Sequence, residues 1–251
     1  MHINSLVLAF VAPLIALTSA APLMRRAPAT IHTKCTVPGT FALSFDDGPY
    51  NQTWDLIKTL NEENIKATFF INGNNFDNIE TESVTTSDGV RSYLDHLRFM
   101  HTSGHQIASH TYEHAVLTGL SEEEVTRQMN ALSDIIYNTV SVRPRYMRPP
   151  TGAYDDTVLN ILGNLGYEVA IWDIDPKDYE DYDLQRKEDV FSSYLDQETA
   201  TPPTSAHMSL MHDVHPQTGP YLLPWVVRQV RAKGYRFATV AECLNDPRPY
   251  Q

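Results

Sequence analysis

The chain has 251 residues, of which 42% are hydrophobic and 20% charged, and its formal net charge is −12. This apolar content excludes an intrinsically disordered protein, and the acidic balance argues against a nucleic-acid-binding surface, which needs an excess of Lys and Arg. Two cysteines are too few for a disulfide-dense scaffold or a cysteine-only zinc cluster. The ten histidines are concentrated in two places, five between His96 and His114 and three between His207 and His215.

The N-terminal residues predict export of the protein. Residues 6–17 form an apolar run that is followed by the small-residue cleavage pattern Thr18-Ser19-Ala20. The run is too short to span a membrane, which takes about 20 residues. We therefore expect a signal peptide over residues 1–20, a pro-segment over 21–26 that ends in a dibasic pair, and one secreted domain over 27–251. We expect an extracellular protein without a membrane anchor, which is either free or associated with a cell wall.

Export also bears on the cysteines and on glycosylation. Cys35 and Cys243 lie near the two ends of the predicted domain, and an oxidising compartment favours a disulfide between them. Two separate buried thiols are the alternative. The one N-glycosylation sequon is Asn51-Gln52-Thr53, which makes Asn51 the candidate glycosylation site.

A helix–glycine–strand unit recurs along the chain. Gly166 and Gly234 each follow a segment of helical periodicity and precede a short apolar strand, as is typical of α-to-β junctions. Residues 74–92 are polar and weakly patterned, and we interpret them as an insertion or a long loop. Seven strands are predicted, over residues 41–45, 67–71, 106–109, 145–148, 169–172, 209–211 and 237–240. Alternating strands and helices in this number favour a single-domain α/β fold, a distorted (β/α) barrel of seven or eight units.

Charged or polar groups follow five of the seven predicted strands. The carboxyl ends of the strands in a parallel barrel meet at one rim, where such barrels place their chemistry. The five segments begin at Asp46, His110, Arg148, Asp173 and His212. Their convergence predicts an active site at that rim.

Two of these segments suggest a metal site. His110 and His114 are four residues apart, so one helical turn would place both imidazoles on the same face. The adjacent carboxylates Asp46 and Asp47 repel each other, and a divalent cation would remove that cost. Two histidines and one carboxylate form a three-ligand zinc site with an open position. Two ordinary surface histidines and a simple Asp-Asp-Gly-Pro turn are the alternatives.

These segments resemble the five ordered motifs of the polysaccharide deacetylases, the family-4 carbohydrate esterases. The resemblance covers nearly all of the chain from Cys35 to about Cys243. The Phe-Ile-Asn-Gly-Asn-Asn run at 70–75 resembles the secreted fungal chitin deacetylases within the family. The motif matches are Ser44-Phe45-Asp46-Asp47-Gly48-Pro49, His110-Thr111-Tyr112-Glu113-His114, Arg148-Pro149-Pro150-Thr151-Gly152, Asp175-Pro176-Lys177-Asp178-Tyr179 and Leu210-Met211-His212.

The resemblance implies a metal-dependent hydrolase that removes N-acetyl groups from N-acetylglucosamine polymers. It implies that Zn²⁺, or another divalent metal such as Co²⁺, is bound by Asp47, His110 and His114. The general base is then Asp46, and the acid that protonates the amine leaving group is His212. Two further residues act through these, Arg148 by pairing with Asp46 and Asp175 by raising the pKa of His212.

The resemblance also implies a substrate pocket. The backbone N–H of Thr151 is expected to stabilise the oxyanion, and Leu210 and Tyr179 are expected to surround the acetyl methyl group. The family usually has Trp where this chain has Tyr179, and both side chains also fit ordinary packing positions. Tyr154 lies beside a motif and is a candidate platform for a sugar ring.

The implied partner is chitin, a chitooligosaccharide or a related acetylated glycan, and we expect a monomer. An O-acetyl esterase acting on xylan or another acetylated glycan is one alternative. A catalytically inactive glycan-binding module is another, although a binding module has no use for both a base at Asp46 and an acid at His212. His105, His207 and His215 have no assigned role and are expected to be structural or exposed.

Overall fold

The computed structural model describes residues 26–251. The predicted signal peptide and residues 21–25 of the predicted pro-segment lie outside the described residues. Within residues 26–251, no helix has the length and apolar character that crossing a membrane requires.

Parallel strands form the centre of the fold. The largest sheet has seven strands in the order β1-β9-β8-β7-β4-β3-β11, and a second sheet has the order β10-β2-β12. Only Leu43 separates β2 from β3, so the second sheet continues the first and the whole curls into a half-barrel. The strands of the described chain are β1 (Ile31–His32), β2 (Thr40–Ala42), β3 (Ser44–Asp46), β4 (Thr68–Ile71), β5 (Ser83–Thr86), β6 (Gly89–Ser92), β7 (Gln106–Ser109), β8 (Tyr146–Met147), β9 (Glu168–Ala170), β10 (His207–Met208), β11 (Met211–His212) and β12 (Arg236–Ala238).

Helices cover the outside of this sheet, each with one apolar face turned inward. In α4, for example, Val158, Ile161 and Leu162 are buried, as their helical spacing predicts. The helices are α1 (Thr53–Glu62), α2 (Tyr93–Thr102), α3 (Glu122–Val140), α4 (Asp156–Asn164), α5 (Leu184–Leu195), α6 (Leu223–Ala232) and α7 (Val240–Cys243).

The predicted fold class is confirmed, since the described residues form one domain of alternating strands and helices around a curled parallel sheet. Each of the seven predicted strand segments overlaps a strand. The structure adds β1 at the sheet edge beside β9, and β10, which pairs with β2 just before the predicted segment 209–211. It also adds an antiparallel hairpin of β5 and β6 within residues 74–92, which we interpreted as an insertion or loop. The hairpin is largely exposed on both faces and therefore lacks the apolar alternation that marks a strand in sequence.

The layer between the sheet and the helices is packed with aromatic and aliphatic side chains, among them Phe45 and Phe69, whose rings stack 5.4 Å apart. A second cluster, which includes Phe70, Tyr146 and Met208, fills the inner side of the curled sheet. A disulfide joins Cys35 and Cys243, as predicted, and closes a loop across a sequence separation of 208 residues. Such a cross-link removes unfolded-state entropy worth up to about 5 kcal/mol. The packed interior leaves the rim at the carboxyl ends of the strands as the place where polar side chains can converge.

Candidate active site

The polar side chains that follow the strands meet in a cavity of about 350 Å³ at this rim. They reach it from β3, β11 and the loops after β7, β8 and β9, which belong to one parallel sheet and end at the same rim. The lining side chains are Asp46, Asp47, His110, His114, Pro149, Thr151, Trp172, Tyr179, Leu210 and His212.

Asp47, His110 and His114 form a compact group of potential metal ligands. Asp47 Oδ1 lies 3.3 Å from Nε2 of His110 and 3.3 Å from Nε2 of His114. One ligand atom from each residue lies within 4.8 Å of the others. Asp47 and His114 have φ values of 78° and 54°, so the chain turns sharply at both ligands to bring them together.

The donor set fits a divalent metal ion. His110 Nδ1 lies 2.7 Å from the carbonyl of Arg148, which fixes the proton on that nitrogen and leaves the Nε2 lone pair facing Asp47. Asp47 Oδ1 is buried and makes no well-aligned hydrogen bond. Burial alone would raise the pKa of Asp47, but His110, His212 and His114 together hold it at about 2. Burial, with the neighbouring His110, lowers the pKa of His114, which favours the neutral imidazole that can bind a metal.

Asp46 is held by a buried arginine. Its Oδ1 accepts a hydrogen bond of 2.6 Å from Arg148 Nη1, and both side chains are almost fully buried. Arg148 also donates from Nη2 to Ser44 Oγ at 2.9 Å and to the carbonyl of Ile171 at 2.8 Å. The guanidinium therefore fixes one oxygen of Asp46, whose other oxygen lies 3.8 Å from His110 Nε2 beside the metal ligands. This geometry suits a carboxylate that accepts a proton from a group bound beside the candidate metal ligands.

The carboxylate that contacts His212 is Asp178, and the prediction of Asp175 for this position is wrong. Asp178 Oδ1 lies 2.8 Å from His212 Nδ1, and Asp178 Oδ2 accepts the His212 backbone N–H at 2.8 Å and the Thr218 hydroxyl at 2.7 Å. Burial alone would lower the pKa of His212, but the charge and hydrogen bond of Asp178 raise it to about 9. Burial alone would raise the pKa of Asp178, but the charge of His212 keeps it below its usual value.

Asp175 has a different set of partners. Its Oδ1 accepts the backbone N–H of Lys177 at 2.9 Å, and its Oδ2 accepts the Tyr179 hydroxyl at 3.2 Å. Lys177 Nζ lies 3.3 Å from the same oxygen. The chain reverses at Lys177, which has a φ of 61°, so Asp175 and Asp178 point to different neighbours. Asp175 therefore orients Tyr179 and does not contact His212.

The predicted substrate-binding residues divide into two groups. Thr151, Leu210 and Tyr179 line the cavity, and the Tyr179 ring lies edge-on to His212 with centroids 5.3 Å apart. Tyr154 is exposed on the surface and does not line the cavity, so its role as a sugar platform stays a prediction. The candidate glycosylation residue Asn51 is also exposed, in the turn before α1.

Sequence reasoning missed several residues of the site. Trp172 lines the cavity, and its position at the end of a predicted strand was the available signal. Asp213 lies buried beneath the Asp46-Asp47 turn, where Thr53 Oγ1 donates to its Oδ2 at 2.6 Å and burial raises its pKa to about 7. A Cβ on Gly48 would lie 2.2 Å from Asp213 Oδ2, so that position of the turn requires glycine.

Comparisons with known proteins agree with this geometry. The chain is 37% identical to a chitin deacetylase of Pestalotiopsis sp. over 241 residues, which cover 94% of this chain and 76% of that protein. It is 35% identical to a chitin deacetylase of Colletotrichum lindemuthianum over 98% of this chain and 97% of that protein. The solved structure of the chitin deacetylase from the fungal pathogen Colletotrichum lindemuthianum superposes with a TM-score of 0.81, covering 90% of this chain and 96% of that chain.

The sequence profile described as polysaccharide deacetylase matches residues 33–170. This match spans more than half of the chain and includes the segments that supply Asp46, Asp47, His110, His114 and Arg148. Together with relatives that align over nearly the whole chain, it shows that the protein belongs to the polysaccharide deacetylase family, whose members are metal-dependent carbohydrate esterases.

Proposed function

We propose that the protein hydrolyses N-acetyl groups of N-acetylglucosamine residues in chitin or chitooligosaccharides and releases acetate. The observation that carries the proposal is that a base held by Arg148 and an acid held by Asp178 line one cavity with the Asp-His-His group. Relatives named chitin deacetylase, aligned over most of the chain, support the choice of substrate.

Asp47, His110 and His114 would hold the metal, and a site of two histidines and one carboxylate favours Zn²⁺, with Co²⁺ as an alternative. When bound, the metal supplies Lewis acidity, which acidifies water and polarises a carbonyl oxygen. The second nitrogen of His110 is already engaged by the Arg148 carbonyl, so this ligand is oriented before the metal binds.

Asp46 is the general base. It accepts a proton from the water that attacks the acetamide carbon, and Arg148 holds it in place by the 2.6 Å hydrogen bond. The backbone N–H of Thr151, which lines the cavity, donates to the oxyanion that develops at the carbonyl oxygen.

His212 is the general acid. Its Nδ1 is bonded to Asp178, so the proton on Nε2 is the one available to the amine nitrogen as the C–N bond breaks. Because Asp178 raises its pKa to about 9, His212 carries this proton at neutral pH. His212 thus carries a proton to donate while Asp46 is positioned to accept one, as an amide hydrolysis requires.

Leu210, Trp172 and Tyr179 provide the apolar part of the cavity, and we assign to them the binding of the acetyl methyl group. Tyr179 is fixed by Asp175, which explains how a smaller aromatic side chain than the usual Trp keeps a defined position.

We further propose that the protein acts outside the cell as a monomer. The proposal includes a signal peptide over 1–20, a pro-segment over 21–26 and a catalytic domain over 27–251. The disulfide between Cys35 and Cys243 supports export, because such bonds persist in oxidising compartments. Asn51 is exposed, which leaves it accessible for N-glycosylation.

The test is acetate release from defined N-acetylglucosamine oligomers by zinc-loaded protein, with products identified by mass spectrometry. The Asp46→Asn variant is expected to lose about 100- to 10,000-fold in kcat, the range for removal of a general base. Asp134→Asn, a surface aspartate on α3, is the matched control and is expected to retain full activity.

Other outcomes would select the alternatives. Acetate release from acetylated xylan but not from chitooligosaccharides would replace the proposal by an O-acetyl esterase. Oligomer binding without acetate release from either glycan would identify an inactive glycan-binding module.

A further inference from the structure

The two segments that carry the candidate metal ligands are joined by Asn72, a residue that the mechanism above does not use. It directly follows β4 and is almost fully buried. Its side-chain Nδ2 donates to the carbonyl of His110 at 2.6 Å and to the carbonyl of Thr111 at 2.8 Å. Its backbone N–H donates at 2.9 Å to the carbonyl of Gly48, in the turn that carries Asp47. Asn72 thus contacts the backbone of both ligand-bearing segments.

The surroundings fix the orientation of the Asn72 amide. Carbonyl oxygens only accept hydrogen bonds, so the NH₂ group must face His110 and Thr111. The Oδ1 atom accepts a hydrogen bond from Asn75 Nδ2 at 3.3 Å. Within residues 26–251, this amide is the donor found for both carbonyls, which belong to buried residues. Loss of the amide would leave two buried carbonyls without a partner, which favours movement of the chain that carries them.

That chain, the ligand loop of residues 110–114, needs a restraint because its backbone is strained. Thr111 has a φ of 69° and His114 a φ of 54°, in the left-handed region that residues with a side chain avoid, β-branched ones above all. The two carbonyls held by Asn72 are those that precede and follow the Cα of Thr111, so one amide fixes both peptide groups of this residue. Without it, the loop could relax and no longer hold His110 and His114 together.

The residues that follow Asn72 continue the same support. The backbone N–H groups of Gly73 and Asn74 both donate to the carbonyl of Tyr112, at 2.9 and 2.7 Å. Three consecutive carbonyls of the ligand loop therefore accept hydrogen bonds from residues 72–74. A Cβ on Gly73 would lie 2.2 Å from Tyr112 Cδ2, so the close approach of the two segments requires glycine at this position.

We propose that Asn72, supported by the adjacent Gly73, is a positioning residue for the metal site. It holds His110 and His114 within reach of one divalent ion before the ion binds, and it touches neither the ion nor the substrate. The inference rests on the proposed function only in that Asp47, His110 and His114 bind the metal, and it does not depend on which glycan is the substrate. Residues that orient metal ligands from behind typically change metal affinity by about 10- to 100-fold.

The test measures the dissociation constant of Zn²⁺ for the metal-free protein by competition with a chromophoric chelator. For Asn72→Ala, we expect the constant to rise about 10- to 100-fold, because the ligand loop loses the donor that holds it. Asn61→Ala is the matched control. It removes a side-chain amide that donates to Ser103 Oγ at 2.9 Å between the ends of α1 and α2, and it should leave the constant unchanged.

The melting temperature of the metal-free protein distinguishes positioning from general support of the fold. If Asn72→Ala melts at a lower temperature but binds Zn²⁺ with the wild-type constant, the proposal is overturned and Asn72 is a structural residue. Gly73→Ala is a second variant, which keeps the Asn72 amide while its methyl group displaces Tyr112 and with it the ligand loop. It is expected to raise the same constant, and it decides the matter if Asn72→Ala does not fold.

The zinc measurement also separates failure of this inference from failure of the proposed function. A constant that rises in Asn72→Ala supports the positioning role even where the wild type releases no acetate from any glycan. Equal constants in the two proteins contradict it even where the wild type is an active deacetylase. A wild type that binds no Zn²⁺ would refute the metal site and the role of Asn72 together.

Discussion

Two aspartate–histidine pairs join the same two segments of this protein, and only one of them faces the active site. His207 Nδ1 lies 2.7 Å from Asp173 Oδ2, and His212 Nδ1 lies 2.8 Å from Asp178 Oδ1. In both pairs the second carboxylate oxygen accepts a backbone N–H, from Met208 in one and from His212 itself in the other. The two aspartates are five positions apart in the sequence, and so are the two histidines.

The pairs differ in what the other imidazole nitrogen contacts. His207 Nε2 lies 3.0 Å from Ser205 Oγ and 3.2 Å from the Tyr235 hydroxyl, so the protein itself satisfies it. His212 lines the active-site cavity, and in the described chain no side chain or backbone group bonds to its Nε2. A carboxylate on Nδ1 therefore does not by itself make a histidine a proton donor. The opposite nitrogen must also face a cavity that substrate can enter.

The largest effect expected from this comparison is on the chemical step. Replacement of His212 by Gln should lower kcat for acetate release by about 100- to 10,000-fold, because the amine would leave without a proton donor. Replacement of His207 by Gln should leave kcat within about threefold, since that ring has no contact with the cavity. Both variants are compared with the wild type on the same chitooligosaccharide, and melting temperatures check that each is folded.

A loss of kcat in His207→Gln as large as in His212→Gln, in a folded protein, would break the comparison. It would mean that His207, through its contacts with Ser205 and Tyr235, helps to position groups of the active site.

The next effect concerns pH dependence. A general acid works in its protonated form, so wild-type kcat/KM should fall as pH rises through about 9, the pKa to which Asp178 raises His212. In Asp178→Asn the carboxylate charge is lost while burial, which lowers the pKa, remains. The alkaline limb should therefore move to a lower pH, with a loss of about 10- to 100-fold at pH 8.

Asp173→Asn is the control for this profile, because it removes the carboxylate of the pair that does not face the cavity. Its alkaline limb should coincide with that of the wild type. A limb that stays in place in Asp178→Asn would show that another group supplies the proton.

The parts of the molecule that sequence could predict are those determined by periodicity and by strand ends. The strand at 106–109 forms over the predicted residues, and His110 follows it into the cavity. Asp47 and His114 reach the same place because parallel strands end at one rim. The position of a strand and of the residues that follow it depends on the hydrophobic pattern of a short stretch of sequence. The parallel order of the strands then brings these residues to one rim.

The parts that could not be predicted depend on the path of irregular chain. Asp175 and Asp178 stand three residues apart in one loop, and the left-handed backbone at Lys177 decides which of them contacts His212. Tyr154 lies only two residues beyond Gly152, yet the chain carries it away from the cavity. The residue types and their spacing in the sequence are compatible with either aspartate contacting His212 and with Tyr154 inside or outside the cavity. Only the backbone geometry decides between these arrangements.

The smallest effect is expected from Asp175→Asn. The variant removes the ion pair with Lys177 and weakens the acceptor for the Tyr179 hydroxyl, while His212 keeps its contact with Asp178. We expect kcat/KM to fall no more than about threefold through KM, with the alkaline limb unchanged, since the Lys177 ammonium is exposed and solvent screens its ion pair with Asp175. The pH profiles of Asp175→Asn and Asp178→Asn, measured side by side, distinguish the two carboxylates. A shift of the alkaline limb in Asp175→Asn but not in Asp178→Asn would mean that Asp175 controls the pKa of His212, as the family motif implies. The contact between Asp178 and His212 would then not control it. If only Asp178→Asn shifts the limb, the two aspartates of the motif have separate tasks, one for the acid and one for the wall of the acetyl pocket.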